Sequence, residues 1–132
     1  MNGRIHHIDI TVTSLEVSTE FYDFCLTEMG FRRIRDVEEG PLWAGEGLEV
    51  GLQASKNGGR HNRYSPGLHH LAFWADSRDA VDALYKKLVK RNIEILDAPA
   101  LYEKYAAGYY ALFFADPDGI KLEYVYTPEW PV

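Results

Sequence analysis

Four of the five histidines stand in two doublets, His6-His7 and His69-His70, and each doublet opens an apolar stretch, IHHIDITV (5–12) and LHHLAFWA (68–75). Strand side chains alternate between faces. In 5–12, Ile8, Ile10 and Val12 form one apolar face, and His7, Asp9 and Thr11 form the other. In 68–75, Leu71 and Phe73 oppose His70, Ala72 and Trp74, and in 120–126, Ile120, Leu122 and Tyr124 oppose Lys121, Glu123 and Val125. His7, His70 and Glu123 are therefore expected on the faces turned away from the core, with His6 and His69 pointing toward it. Two imidazoles and a carboxylate facing one cavity bind a divalent metal and leave coordination positions open. Such a metal holds adjacent substrate oxygens and stabilises an enediolate, alkoxide or semiquinone-like oxyanion. Proton abstraction beside a carbonyl also needs a base within reach. Asp9, on the same face as His7, is the candidate, and Glu123 or Glu49 is its rival.

The elements that must position these groups are repeated. After 5–12, Ser14 is a plausible helix N-cap, Val17, Phe21, Phe24 and Cys25 recur at helical spacing, and Gly30 ends the run. After 68–75, Asp76 or Ser77 caps, Val81, Leu84, Tyr85 and Leu88 make the stripe, and Asn92 stands where Gly30 stood. Extended segments follow at 31–37 and 93–97. Two further short strands complete each half, near 42–46 and 48–54, and at 109–115 and 120–126. The expectation is an α+β fold written as β-α-β-β-β twice, with modules at about 4–54 and 68–127 and a polar connector at 55–67. A unit of about 60 residues is too small to bury a good core alone, so the two should pack together.

Composition narrows the function. The 132 residues carry 14 Lys+Arg against 20 Asp+Glu, a net charge of −6, with 46% hydrophobic residues. That balance argues against sequence-independent nucleic-acid binding, which rests on basic contacts to phosphate. No apolar run reaches the roughly 18–20 residues of a membrane span. The opening MNGRIHHIDITV alternates like a strand rather than presenting a signal peptide's apolar region. A single cysteine, Cys25, excludes an intrachain disulfide and fits a cytoplasmic location; on the first helix's stripe it reads as inert core. Aromatics reach 14% and either fill cores or line a small-molecule pocket. Trp43, Trp74, Tyr105, Tyr109 and Tyr110 are the candidates, Trp74 foremost because it shares a face with His70. The loop LYEKYAAGYY (101–110) suits closure over a ligand. Lys56, Arg60, His61 and Arg63 make the connector locally basic, either as a solvated linker or to attract a carboxylate, phosphate or glutathione-like anion.

The doubled β-α-β-β-β unit, the opening histidine strands and the closing FFADPDGIKLEYVY (113–126) resemble the vicinal oxygen chelate superfamily over about residues 4–127. That superfamily contains glyoxalase I, extradiol dioxygenases, fosfomycin-resistance transferases and bleomycin-binding proteins. The turn Asp116-Pro117-Asp118-Gly119, followed four residues later by Glu123, is the most specific piece. The resemblance implies a cupped eight-stranded mixed sheet with helices on its outer face, a homodimer, and one divalent transition metal (Zn, Ni, Co, Mn or Fe) on His7, His70 and Glu123. It implies glyoxalase-like lyase or isomerase chemistry on a small oxygenated or thiol-conjugated substrate. A small Fe(II) dioxygenase, a thiol transferase and a non-catalytic ligand-binding protein are the alternatives. Glyoxalase I carries a fourth ligand on the last strand of the first module. Gly51 occupies that place here, with Glu49 and Gln53 two residues to either side. Fosfomycin transferases carry a Thr where Asp9 stands, and basic residues after their closing Glu where this chain has Tyr124 to Pro128.

Overall fold

Alternation and capping account for the elements of the computed structural model, which describes residues 2–130. The first strand, β1 (His7–Val12), buries Ile10 and Val12 and exposes His7, Asp9 and Thr11, the expected register. Ser14 caps α1 (Leu15–Glu28), its side chain accepting from the Val17 amide. Gly30, at φ +94°, takes the left-handed turn that releases the chain from the helix. There follow β2 (Arg32–Arg35), a 3-10 turn at Val37–Glu39, β3 (Leu42–Gly45) and β4 (Leu48–Ala54). The second half repeats the order with β5 (Leu71–Trp74), α2 (Arg78–Lys90), β6 (Ile95–Leu101), β7 (Tyr110–Ala115) and β8 (Lys121–Tyr126). Ser77, not Asp76, caps α2 by accepting from the Ala80 amide, and Asn92 takes a left-handed φ of 57° after it.

The eight strands are divided into two four-stranded mixed sheets of identical order, β1-β4-β3-β2 and β5-β8-β7-β6. In each, the first strand pairs parallel with the last and the remaining pairs are antiparallel. The boundary between two compact units falls between Arg60 and His61.

In the first unit, Ile10, Val12, Val50, Leu52 and Trp43 join Tyr22, Cys25 and Leu26 of α1 in the core. The buried face of α1 keeps Phe21 and Cys25 of the expected stripe and adds Ser18, Thr19, Tyr22 and Leu26, while Val17 is 55% exposed and Phe24 half-buried. Burying Tyr22 and Leu26 beside Phe21 removes more apolar surface from water than burying Val17 would. In the second unit, Val81, Leu84 and Leu88 of α2 are buried, as are Leu112, Phe114, Leu122 and Tyr124 of the sheet. The opposite face of that sheet carries its own aromatic cluster of Tyr109, Ala111, Phe113 and Val125, with Leu96 and Tyr102 against it. The second unit's edge strand β6 runs past the expected 93–97 to Leu101 despite Pro99. An edge strand with register shifts at Asp97 tolerates a residue that cannot donate to the ladder. Among the described residues no helix is long and apolar enough to cross a membrane.

Candidate functional site

The second unit builds a His–carboxylate pair. Strand β8 lies between β5 and β7, with Glu123 opposite Ala72 on one side and Phe113 on the other. Tyr110 bonds Asp82 of α2 at 2.6 Å, so the face of β7 holding Tyr110, Leu112 and Phe114 is the helix side. Ala111, Phe113 and Glu123 therefore face away from the helix, as alternation requires. Glu123 is only 2% exposed. One of its oxygens, Oε1, lies 3.1 Å from His70 Nε2, and the other accepts a short hydrogen bond from the Tyr109 hydroxyl. Burial first, and then this bond to Glu123, push the Tyr109 hydroxyl well above the usual tyrosine range. A buried carboxylate with both oxygens engaged is held in one orientation.

The turn before β8 aims Glu123. Asp116 is buried, and its Oδ1 accepts from the amides of Asp118 (2.9 Å) and Ile120 (2.8 Å). Its backbone N–H donates to the Ile120 carbonyl at 2.9 Å. Of the turn residues only Gly119 has positive φ, +83°. The clamp on this turn is thus the Asp116 side chain, a role its sequence position at the start of a turn could have signalled.

His6 and His69 do not point into the core. Both are exposed, and each sets its ring edge-on to its neighbour, with Nδ1–Nδ1 separations of 3.0 Å for His6–His7 and 2.8 Å for His69–His70. One nitrogen of each close pair must donate and the other accept. Desolvation, and then the neighbouring charges of His70, Lys121 and Arg63, hold the His69 pKa below the usual imidazole value.

The first unit holds a second pair, His7 Nε2 and Asp9 Oδ2, 3.9 Å apart and both exposed. Asp9 stands opposite Gly51 in the β1–β4 register. A Cβ at Gly51 would lie 2.5 Å from Asp9 Oδ1 and 3.2 Å from Leu42 Cδ1. The glycine does not serve the backbone, since its φ is not positive; it leaves room for the Asp9 carboxylate. Where the second unit has Ala72 on its first strand and Glu123 on its last, the first unit has Asp9 and Gly51. Glu49 is opposite His7 and Gln53 opposite Thr11, and Gln53 is exposed. Among the described residues no three His, Cys, Asp or Glu side chains gather in a metal-holding group.

The aromatic candidates separate. Trp43 is core, fully buried with its indole N–H bonded to Asp23 of α1 at 2.9 Å, and Tyr110 faces α2. Trp74, 56% exposed, lines a cavity of about 150 Å³ with Ala72, Tyr109, Val125, Thr127 and Trp130. Tyr105, 52% exposed, meets Tyr109 edge-on at 5.2 Å between ring centroids. Arg60 is exposed at the end of the first unit.

Comparison with known proteins agrees with this architecture. The family model of the Glyoxalase/Bleomycin resistance protein/Dioxygenase superfamily matches residues 4–124. The uncharacterized Bacillus subtilis protein YqjT is 32% identical over 124 residues, 92% of this chain and 97% of that one. The crystal structure of a "putative glyoxalase" from Bacillus halodurans is 32% identical with a TM-score of 0.81, covering 94% of this chain and 96% of that chain. A glyoxalase/dioxygenase structure from Nostoc punctiforme, 22% identical, shares the fold with a TM-score of 0.76 over 96% of this chain and 92% of its own. With two like modules, a matching family model along nearly the whole chain and a relative of one-third identity, this chain belongs to the Glyoxalase/Bleomycin resistance protein/Dioxygenase superfamily.

Proposed function

We propose that the chain is a metal-dependent enzyme in which His70 and Glu123 hold one divalent transition metal, and that it performs glyoxalase-like lyase or isomerase chemistry. The observation that carries this is the His70–Glu123 pair. Metal bonds of about 2.1 Å set neighbouring donors about 3.0 Å apart in an octahedron and about 3.4 Å apart in a tetrahedron. The 3.1 Å between His70 Nε2 and Glu123 Oε1 falls inside that range. The donor set, imidazole and carboxylate, suits Zn, Ni, Co, Mn or Fe. When bound, the metal supplies Lewis-acid stabilisation of a developing substrate oxyanion.

The chain's own residues do the remainder. Tyr109 holds Glu123 in its donor orientation, and its hydroxyl keeps its proton at any physiological pH. With His70 Nε2 engaged, its proton resides on Nδ1 and is donated to His69, which fixes the ring plane; His6 serves His7 in the same way. Asp9, exposed beside His7 and given room by Gly51, is the base that takes a proton from carbon next to a substrate carbonyl. Trp74 and Tyr109 flank a cavity that takes one six-membered ring or a group of similar volume. Tyr105 stands at the exposed end of the same aromatic cluster and contacts the outer part of the substrate. The reading includes a homodimer in the cytoplasm.

The test is to strip the protein with chelator, restore single metals, and assay hemithioacetal isomerisation beside catechol cleavage and thiol addition to an epoxide. Metal-restored isomerisation, lost in Asp9→Asn with metal content unchanged, is the expected result. Turnover confined to Fe(II) and oxygen would replace the isomerase reading with a dioxygenase. Ligand protection without turnover or metal dependence would replace it with a binding protein.

A further inference from the structure

We propose that the second unit carries an oxyanion-binding subsite made by Arg63 and Lys121 beside the His70–Glu123 pair, and that the substrate bears a carboxylate or phosphate group there. Two of the basic connector residues, His61 and Arg63, lie in the segment that follows Arg60 and is bonded to the second unit. His61 Nε2 meets the Leu68 carbonyl at 2.9 Å, and the His61 amide donates to the Asp118 carbonyl at 3.0 Å. Asn62 Oδ1 accepts from the Tyr64 amide at 3.0 Å, and the Ser65 amide donates to the Asn62 carbonyl at 3.2 Å. The segment is thereby tied to the turn that leads into Lys121 and Glu123.

Two chains of ring contacts then run to His70 from a cation at either end. The Arg63 guanidinium carbon lies 5.0 Å from the Tyr64 ring centroid, Tyr64 meets His69 at 6.0 Å, and His69 meets His70 at 5.0 Å. From the other side, Lys121 Nζ stands 4.6 Å over Phe113, and Phe113 meets His70 at 6.2 Å. Lys121 is two residues before Glu123 on the same face of β8. Both cations are part-buried, and among the described residues neither makes an ion pair with a carboxylate. Arg63 Nε is buried with no hydrogen-bond partner among the described residues. Asp116 Oδ1 is engaged by two turn amides, and the Glu123 carboxylate by Tyr109 and His70. Arg63 and Lys121 are thus two cations without a carboxylate partner among the described residues, in a chain of net charge −6. A guanidinium fork and an ammonium are the donors that carboxylate and phosphate oxygens take.

The inference rests on the proposed function only for where the rest of the substrate lies, and its test separates the two. Malonate and inorganic phosphate would be titrated calorimetrically into the wild-type protein, as purified and after chelator treatment, with metal content measured in each sample. Arg63→Gln and Lys121→Gln would each weaken binding at least tenfold at low salt in both states, with cooperative unfolding and metal content unchanged; Lys56→Gln would bind as wild type does. Malonate and phosphate arms distinguish the two oxyanion sources by which one binds. Binding that persists in both variants, that vanishes with the metal, or that is absent from wild type for both anions would overturn the subsite. Variant-sensitive binding in a protein that holds no metal would keep the subsite and remove the metal-dependent reading.

Discussion

Tyr109→Phe removes one oxygen from the buried face of the second unit and leaves Glu123 without its hydroxyl donor. A hydrogen bond to a charged group contributes roughly 1.5–3 kcal/mol, and the lost donor leaves a buried carboxylate oxygen unsatisfied. Taking about 2 kcal/mol, and about 3–5 °C per kcal/mol for a chain of this length, the metal-free protein should melt roughly 6–10 °C lower. The same change frees the Glu123 carboxylate to turn, and loss of a ligand's orienting partner weakens metal affinity by roughly 10–100-fold. The assay is a thermal melt of chelator-treated protein, followed by competition for metal with a calibrated indicator. Tyr102→Phe is the control, since the Tyr102 ring packs edge-on against Phe113 at 5.6 Å and is retained. A Tyr109→Phe protein with melting temperature and metal affinity indistinguishable from the Tyr102→Phe control would refute the reasoning that Tyr109 holds Glu123.

Ser77→Ala should cost about 1 kcal/mol in urea unfolding, because the Ala80 amide loses its only side-chain cap acceptor at the start of α2. Gly51→Ala should cost about 1–3 kcal/mol by forcing Asp9 and Leu42 aside, and Asp9→Ala should recover at least 0.5 kcal/mol of it in a double-mutant cycle, on the order expected for neighbours in contact. The hydrogen bond to Asp82 raises the Tyr110 pKa above its usual value of about 10, so its stabilisation is complete below about pH 10 and lost as pH rises through the folded-state value. Asp82→Asn should therefore flatten the fall in urea midpoint measured between about pH 9 and pH 11.

Much of the architecture is legible in local patterns. Alternation in 5–12 and 68–75 reports the faces of His7, Asp9, His70 and Trp74 because strand side chains have a period of two whatever the partner strand. Ser14, Ser77, Gly30 and Asn92 act through bonds and dihedrals within a few residues of themselves, so they too are readable. Contacts set by pairing between strands are not. Tyr109 and Glu123 are 14 residues apart, and their bond depends on the β7–β8 register. The closeness of Asp9 to Gly51 depends on a parallel pairing across 42 residues, and it explains a glycine that composition alone leaves puzzling. The His doublets were visible as a repeat, but that one ring orients the other rests on side-chain rotation, which alternation does not specify. Trp43 and Tyr110 look like pocket residues by type, and only their bonds to Asp23 and Asp82 assign them to the helix side.

His70 and Glu123 are proposed as ligands of one metal. Anaerobic metal analysis of untagged protein, beside a His70→Ala, Glu123→Ala double variant that retains cooperative unfolding, tests it most directly. About one transition metal per chain is expected in the wild type, and none in the variant. Metal absent from wild type after incubation with Fe, Mn, Co, Ni and Zn, or retained equally by the variant, would contradict it.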